Sequence, residues 1–323
     1  MSRRRPHRIP ATDLTLSNEK RNTVTMTNIP AHLDPSVRHD MVLLFDIVDG
    51  NPNGDPDAGN RPRMDDETGQ GLVTDVALKR KIRDTLALAA EGDPRYGLFV
   101  EAGHALNTRL EESYKATGLE LGKKKITHEQ AAAARAWLCE RYVDIRLFGA
   151  VLSVGQTNAL GQIRGPLQVT MARSIDPVFP IDHAITRVTQ NRQADIDKGE
   201  TTEMGGKWTV PYGLYKAEIY YSANRGKSTG VDSRDLELLY RTLEMMFDHD
   251  RSATRGSMAT RGLYVFSHAN AFGSAPAHKL TELVRIQRVD NSDRPVPRSF
   301  ADYSVHVDEG RLPEGVTLTK LIG

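Results

Sequence analysis

The chain has 323 residues, 39% of them hydrophobic, and its formal charge of +1 comes from 43 basic and 42 acidic residues. This balance excludes a surface that attracts polyanions everywhere, so a nucleic-acid site would need local clusters of cations. The single cysteine, Cys139, excludes an internal disulfide and a cysteine-rich zinc site. No segment reaches the ~20 apolar residues of a membrane span, and the first residues lack an apolar signal segment, so we expect a cytoplasmic protein.

The first 37 residues show no hydrophobic periodicity. Near the N-terminus, arginines stand among prolines and polar residues at Arg3, Arg4, Arg5 and Arg8. A segment of this composition buries too little apolar surface to fold alone, so we expect a disordered leader over residues 1–37. It is either a solvated tail, with Met26 as an alternative translation start, or a basic arm on nucleic acid.

The first predicted elements are a strand and a helix, joined by a loop rich in Asn, Pro, Gly and Asp. Met41–Val48 is apolar apart from Asp46, as expected of a buried strand. Thr74 is a predicted N-cap, and the apolar residues recurring every four positions after it predict a buried helical stripe: Leu78, Ile82 and Leu86. The cations of this helix are expected on its exposed side: Lys79, Arg80, Lys81 and Arg83.

Helices and strands alternate through the rest of the chain. The capping box Thr127–Gln130 opens an alanine-rich helix that ends near Tyr142. A second long helix, capped by Ser233, has an apolar stripe. Strands are predicted over residues 143–153, 167–175, 208–223, 263–269 and 283–289. Pro211 predicts an edge position or a bulge near the start of the third of these strands.

The strong elements follow the order strand, helix, strand, strand, helix, strand. This order predicts an α+β fold with a split βαβ core, ferredoxin-like or RRM-like. We expect the domain to span residues 38–295, with insertions at about 92–142 and 180–208. Residues 296–323, which follow a region rich in Gly and Pro, are expected to form a C-terminal extension.

The acidic residues in and after the first strand allow two interpretations. They either hold a metal for phosphodiester cleavage or stabilise turns through their own backbone. The turn interpretation is favoured, and no metal or other cofactor is expected. The residues concerned are Asp46, Asp49, Asp55, Asp57, Asp65 and Asp66. Residues 49–54 also match the start of an EF-hand loop, which leaves a calcium-binding domain as a third hypothesis. Its twelfth position, however, is Asn60 rather than Glu.

The basic features indicate nucleic-acid binding more strongly. Arg61 and Arg63 lie in the Asn/Pro/Gly loop, and Arg164 lies between Gly161 and Gly165. Glycine allows a phosphate to approach backbone N–H groups, and arginine offers a bidentate fork. Aromatic residues make up only 6% of the chain, too few to stack base after base. We therefore expect single-stranded nucleic acid to be bound through its backbone, independently of sequence.

Several long motifs occur in one order over about residues 38–290. They are LFDIVDGNPNGDPDAGNRPRMDDETGQGLVTDVALKRKIRD, FGAVLS, GQIRGPLQVTMARSIDPV, VPYGLYKAEIY, DLELLYRTLEMMFDHDRSATRG and NAFGSAPAHKL. With these motifs the chain resembles the crRNA-binding backbone subunit of the subtype I-C CRISPR surveillance complex, the compact Cascade of antiviral defence. The leader and the C-terminal tail lie largely outside the resemblance.

The resemblance implies an RRM-like palm with helical and thumb-like insertions. Copies would stack head to tail as a helical filament along the guide RNA, leaving its bases free to pair with target DNA. Further partners would be the other Cascade subunits: the 5'-handle endoribonuclease subunit and the large and small subunits. The role implied is a non-catalytic scaffold. The insertion at 180–208 falls where the thumb belongs.

The residues expected to bind RNA come from the loop, the first helix, the Gly161–Gly165 segment and the thumb-like insertion. They are Asn53, Arg61, Arg63, Lys79, Arg80, Arg83, Gln162, Arg164, Arg187, Lys207 and Trp208. Related type III backbone subunits cleave bound target RNA. A metal-dependent endoribonuclease that uses loop aspartates such as Asp55 and Asp57 is therefore the alternative function.

Overall fold

A computed structural model describes residues 29–119, 126–152, 160–199, 201–289 and 295–323. The strands are β1 His39–Gly50, β2 Gly54–Asp55, β3 Arg61–Pro62, β4 Gln70–Val73, β5 Gly149–Val151, β6 Gln162–Arg164, β7 Leu167–Val169, β8 Ala172–Pro177, β9 Ile181–Arg187, β10 Glu203–Tyr221, β11 Ser257–His268, β12 Val284–Arg288, β13 Tyr303–Val307 and β14 Val316–Ile322. The α-helices are α1 Asp75–Ala89, α2 Leu106–Ala116, α3 His128–Arg141, α4 Val143–Phe148, α5 Gln193–Asp197, α6 Ala223–Thr229, α7 Ser233–His249 and α8 Ala277–Thr281. Short 3-10 turns cover Ala31–Leu33, Pro56–Ala58, Pro94–Tyr96, Phe300–Asp302 and Glu309–Arg311.

The central sheet has the strand order β14-β11-β1-β10-β8-β4, and its pairs are antiparallel. Four of these strands and two helices form a split βαβ unit. In chain order the unit runs β1, α1, β8, β10, α7 and β11. The short strand β7 pairs with β10 next to β8 and completes the second strand. The predicted α+β, ferredoxin-like fold class is confirmed.

The two faces of β1 are buried against different partners. Its residues at odd positions, such as Leu43 and Phe45, pack against Leu78 and Ile82 of α1 and against the apolar stripe of α7. Its residues at even positions, such as Val42, pack instead against the segment that contains α8, β12 and β13. An RRM stacks nucleotides on the open face of its sheet, but here this C-terminal segment covers that face.

The insertion after α1 has a core of its own. Helices α2 and α3 pack with α4 and with the short hairpin β5–β6 around a cluster that includes Phe99, Tyr142 and Ile163. The predicted capping box is present: the Thr127 hydroxyl accepts from the N–H of Gln130, and the Gln130 side chain accepts from the N–H of Thr127. The insertion therefore forms a helical lobe beside the central sheet.

Residues 181–209 form a two-stranded hairpin. β9 pairs with the first part of β10, from Arg187 opposite Glu203 to Ile181 opposite Thr209. Between Thr209 and Tyr215, β10 is paired only with β1, because β9 ends there and β8 begins only at Tyr215. Pro211 lies in this gap, where the missing N–H removes no ladder bond. The predicted edge position is therefore local, within a strand that is otherwise central.

Three expectations about chain segments need correction. Residues 29–37 are ordered: Leu33 packs against the main core, and the Tyr221 hydroxyl donates to the carbonyl of Pro35 at 3.0 Å. Residues 1–28 of the expected leader lie outside the described residues. The expected C-terminal extension supplies β14, an edge strand paired with β11.

None of the described helices is both long and apolar enough to cross a membrane.

The third correction concerns residues 143–148, which form α4 rather than the start of a strand. Val143, Ile145 and Leu147 alternate as in a strand, but the intervening Asp144 and Arg146 are also fully buried. The Asp144 carboxylate accepts from the N–H groups of Phe99 and Val100. Because a short segment buried on all sides has no diagnostic period, the sequence pattern favoured the wrong element.

Candidate nucleic-acid interface

The loop between β1 and α1 is held in shape by its own polar side chains. The side-chain oxygen of Asn53 accepts from the N–H and the hydroxyl of Thr74, both at 3.0 Å. The Thr74 hydroxyl in turn caps α1 by accepting from the N–H of Ala77. Arg63 donates to Asp55 at 3.0 Å. Asn53 and Arg63 therefore have structural partners, and both position the loop against the start of the helix.

Arg61 meets the hairpin at the base of the 181–209 insertion. Its guanidinium carbon lies 5.7 Å from the centroid of the Trp208 ring, the distance of a cation–π contact. Arg61 is exposed and Trp208 is half-buried. This contact brings together two predicted site residues that are 147 positions apart in sequence, and it leaves donor groups of the guanidinium open to solvent.

Two cations of α1 converge on one aromatic ring. The Lys79 ammonium lies 5.9 Å and the Arg83 guanidinium 5.1 Å from the centroid of Phe148. Lys79 also pairs with Asp75 at 2.9 Å. Arg83 donates through Nε to Asp144 at 3.0 Å, and the Asp144 side chain is only 1% exposed. Arg83 thus joins α1 to the helical lobe, a structural role that the sequence pattern missed.

Lys81 and Arg80 are adjacent in sequence but differ sharply in solvent exposure. The expectation that Lys81 is exposed is wrong, because it is buried and paired with Asp250. Burial lowers the pKa of Lys81, and the Asp250 carboxylate partly opposes this shift. The Arg80 side chain is 72% exposed and only loosely paired with Asp84, at 3.6 Å. Arg80 is therefore the cation of α1 most available to a ligand.

Gln162 and Arg164 project from the same exposed face of β6, the strand that pairs with β5. Gly165, expected to leave room for a phosphate, is required by packing instead: a Cβ there would lie 2.2 Å from the backbone carbon of Phe148. Gly161 has a positive φ of +69° and open space around it. The β5–β6 hairpin pairs Arg164 with Gly149, the residue that follows Phe148 in the chain.

The other two predicted cations lie in the 181–209 hairpin. Arg187 is paired with Glu203 on the opposite strand and donates to the side chain of Asn191 at 2.7 Å. Lys207 faces His183 across the hairpin. Most of the predicted residues thus fall into four groups: Arg61 with Trp208, the α1 cations around Phe148, Gln162 with Arg164 on β6, and the cations of the 181–209 hairpin.

The loop carboxylates bind cations and backbone groups. Asp55 accepts from Arg63 and from the N–H of Asp57, while Asp65 accepts from Arg173 and from the N–H groups of Glu67 and Thr68. These bonds hold the pKa of Asp65 below its usual range, the bond from Arg173 most of all. Within the described ranges, no three His, Cys, Asp or Glu side chains are grouped to hold a metal.

Asp46, the one charged residue of the predicted strand at residues 41–48, is buried within the sheet. Burial raises its pKa, and this effect is opposed by an ion pair with Arg261 at 2.9 Å and by the Tyr212 hydroxyl. Arg261 also lies over the Phe300 ring of the C-terminal segment, at 5.5 Å. Asp46 therefore helps to fasten the segment that covers the sheet.

Some cations that the sequence analysis missed lie close to predicted ones. Arg135 on α3 and Arg225 on α6 line the same 510 Å³ cavity as Gln162 and Arg164. Arg225 directly precedes Gly226, Lys227 and Ser228, which resemble only the end of a phosphate loop. The proximity of these residues arises from tertiary packing, for which sequence spacing gives no signal.

These features define an α+β protein with a split βαβ core, a helical lobe and a long β-hairpin, in which the exposed Arg61, Arg80 and Arg164 lie outside the central sheet. The chain belongs to the family of CRISPR-associated protein Cas7, whose family model matches residues 37–308.

One curated relative and two solved structures illustrate what this chain is similar to. A CRISPR-associated protein Cas7 from Haloferax volcanii is 27% identical over 215 residues. The alignment covers 62% of this chain and 62% of the relative, so the chain spans less than two thirds of the relative's length. A solved chain titled "CRISPR RNA-guided surveillance complex, pre-nicking" has a TM-score of 0.47 and 13% identity, with 74% of this chain and 80% of that chain covered. Another, titled "CRISPR RNA-guided surveillance complex", has a TM-score of 0.43 and 14% identity, with 74% and 71% covered.

Proposed function

We propose that this protein is a non-catalytic scaffold that assembles in copies along a CRISPR guide RNA and binds its backbone. The observation that carries the proposal is the Cas7 family match over residues 37–308, which coincides with the motifs that resemble a crRNA-binding backbone subunit. Subtype I-C Cascade is the assembly that those motifs indicate. The partners are the guide RNA, further copies of the chain, the other Cascade subunits, and target DNA paired to the guide.

The distribution of cations supports backbone binding. The sheet face that an RRM uses for base stacking is filled by the C-terminal segment, so a strand would have to follow the loops and α1. Arg61, Arg80 and Arg164 are exposed there, and no carboxylate of the described residues pairs with them within 3.5 Å. Arginine forks bind phosphates irrespective of the base attached, so one protein can accept any spacer.

The 181–209 hairpin suits the role of the thumb. It consists of β9, which is exposed from Ile181 to Arg187, and the first part of β10. The contact between Trp208 and Arg61 lies at its base. The nuclease alternative is less well supported, because Asp55 and Asp65 are already bonded to arginines.

The proposal is tested by binding of full-length protein to labelled single-stranded RNAs of unrelated sequence. We expect dissociation constants within about threefold of one another and a steep loss of affinity with salt. Affinities that differ by orders of magnitude between sequences would contradict backbone binding. Specific cuts in matched RNA with magnesium, abolished by Asp55→Ala, would contradict the non-catalytic role.

A further inference from the structure

A groove on the helical lobe gathers three arginines. It lies between α3, β6 and α6 and encloses about 510 Å³, within the range of pockets that hold small ligands. Arg135 enters from α3, Arg164 from β6 and Arg225 from α6. Among the described residues that line the groove, none is an aspartate or a glutamate.

This absence of carboxylates contrasts with the rest of the described chain. Several buried or half-buried cations elsewhere have acidic partners, as Lys81 has Asp250 and Arg83 has Asp144. In the groove, the Arg135 side chain donates to the carbonyl of Leu160 at 3.0 Å, which fixes its direction without neutralising its charge. Burial raises the pKa of Cys139, another lining residue, to about 11, so its thiol carries no negative charge at neutral pH.

Three like charges around one concavity repel one another unless an anion joins them. Arginine pairs best with planar or tetrahedral oxyanions through parallel N–H donors. The floor of the groove includes Ala132 and Ala136, one helical turn apart on α3, whose short side chains leave space for a chain to approach. The volume is larger than a lone ion needs.

We propose that this groove binds a phosphodiester backbone, with Arg135, Arg164 and Arg225 as its contacts. The proposal rests on the proposed function, since Arg164 belongs to both surfaces. β6 pairs Arg164 with Gly149, the residue after Phe148, so the groove begins next to the end of α4, whose Phe148 ring Lys79 and Arg83 contact. The contribution of Arg135 and Arg225 is the new element.

The test uses Arg225→Gln in the full-length protein, because Arg225 is exposed and the variant removes no packing. Arg241→Gln, on the exposed side of α7, is the matched control. Binding of fluorescent single-stranded RNA, single-stranded DNA and duplex DNA is measured from 50 to 300 mM salt. Losing one phosphate contact should lower the slope of log K against log salt by about 0.7 for a single strand and about 0.9 for a duplex. Affinity should fall on the order of tenfold.

The outcomes separate the two proposals. A change confined to Arg225→Gln supports the groove, and the nucleic acid that shows it identifies the strand bound there. If Arg225→Gln and a second variant, Arg135→Gln, match wild type on every probe while wild type binds RNA, the groove proposal is wrong and the function stands. If wild-type protein binds no nucleic acid, both are wrong. An unchanged melting temperature for each variant shows that folding is intact.

Discussion

Arg83 illustrates how one side chain serves the fold where the sequence indicated a ligand contact. Its guanidinium neutralises Asp144, a carboxylate 1% exposed that also fixes the backbone at Phe99 and Val100. Removing one partner of a buried ion pair leaves the other charged and desolvated. The pair therefore joins α1 to the helical lobe, and any effect of Arg83 on RNA binding would include this structural term.

We predict that Arg83→Ala lowers the free energy of unfolding by about 2–3 kcal/mol, because Asp144 loses its cation. Urea unfolding at neutral pH measures the change. Arg80→Ala is the control: its side chain is 72% exposed, so it should alter stability by less than about 0.5 kcal/mol. Equal stabilities for the two variants would show that the Asp144 pair contributes nothing.

His39 makes the fold sensitive to acid. Nε2 donates to the carbonyl of Asp34 at 2.8 Å, and Nδ1 lies 3.0 Å from the Ser267 hydroxyl, from which the neutral ring accepts a hydrogen bond. Burial lowers the pKa of His39 to about 4, whereas the ordinary value is 6.5. The stability that the folded protein has with a neutral His39 is therefore complete above pH 6.5. It is lost as the pH falls from 6.5 towards 4.

We predict that protonation of His39 lowers the free energy of unfolding by at most about 3 kcal/mol between pH 6.5 and pH 4. Unfolding midpoints in urea should fall steadily from pH 7 to pH 4.5 in wild type. In His39→Gln the same decline should be weaker, although the variant is less stable at pH 7. A variant whose stability declines with pH as steeply as that of wild type would place the acid sensitivity in other groups.

At the scale of elements, the contact between β3 and β10 connects the loop to the long hairpin. Arg61 and Trp208 are both accessible, and an exposed cation–π contact contributes only about 0.5–1 kcal/mol. Stability alone therefore gives little reason for this pair. Its position, where the hairpin leaves the sheet, suits a site at which a strand of RNA turns between palm and thumb.

We predict that Arg61→Gln weakens the binding of single-stranded RNA on the order of tenfold, because a charged donor to phosphate is lost. The free energy of unfolding should change by no more than about 1 kcal/mol. Fluorescence anisotropy with two unrelated RNAs measures the first quantity and urea unfolding the second. RNA affinity equal to that of Arg241→Gln would exclude Arg61 from the interface.

The elements that the sequence predicted well are those with a long, regular pattern. The buried stripe of α1 at Leu78, Ile82 and Leu86 and the capping box at Thr127 are both present, because local spacing and capping chemistry determine them. The helix predicted to start with Ser233 as its cap is capped by Asp232 instead. Short or doubly buried segments such as Val143–Phe148 carry no such signal.

The candidate site was less predictable than the fold, and for a physical reason. Whether a cation is free depends on which carboxylate tertiary packing brings to it, as Asp250 does for Lys81 and Asp144 for Arg83. The same packing gathers Arg135, Arg164 and Arg225 from three separate elements. Charge counts along the chain cannot distinguish these outcomes.

At the scale of the whole molecule, the covered sheet face determines where a ligand can lie. Tyr303 donates to Asp176 at 2.6 Å and Arg288 to the same carboxylate at 3.1 Å, so β12 and β13 are fastened over the sheet. If the proposed function is right, RNA would then follow the loop, α1 and the helical lobe on the outside of the core. The net charge of +1 would leave acidic surfaces to meet the basic surfaces of the proposed neighbouring copies.

The most direct test of this account is the RNA that copurifies with the protein. The full-length chain would be expressed with a CRISPR array carrying several unrelated spacers, purified in moderate salt, and its bound RNA sized and sequenced. The account predicts RNA from the array, with every spacer recovered in proportion to its abundance. Protein free of RNA, or bound to one spacer sequence alone, would contradict it.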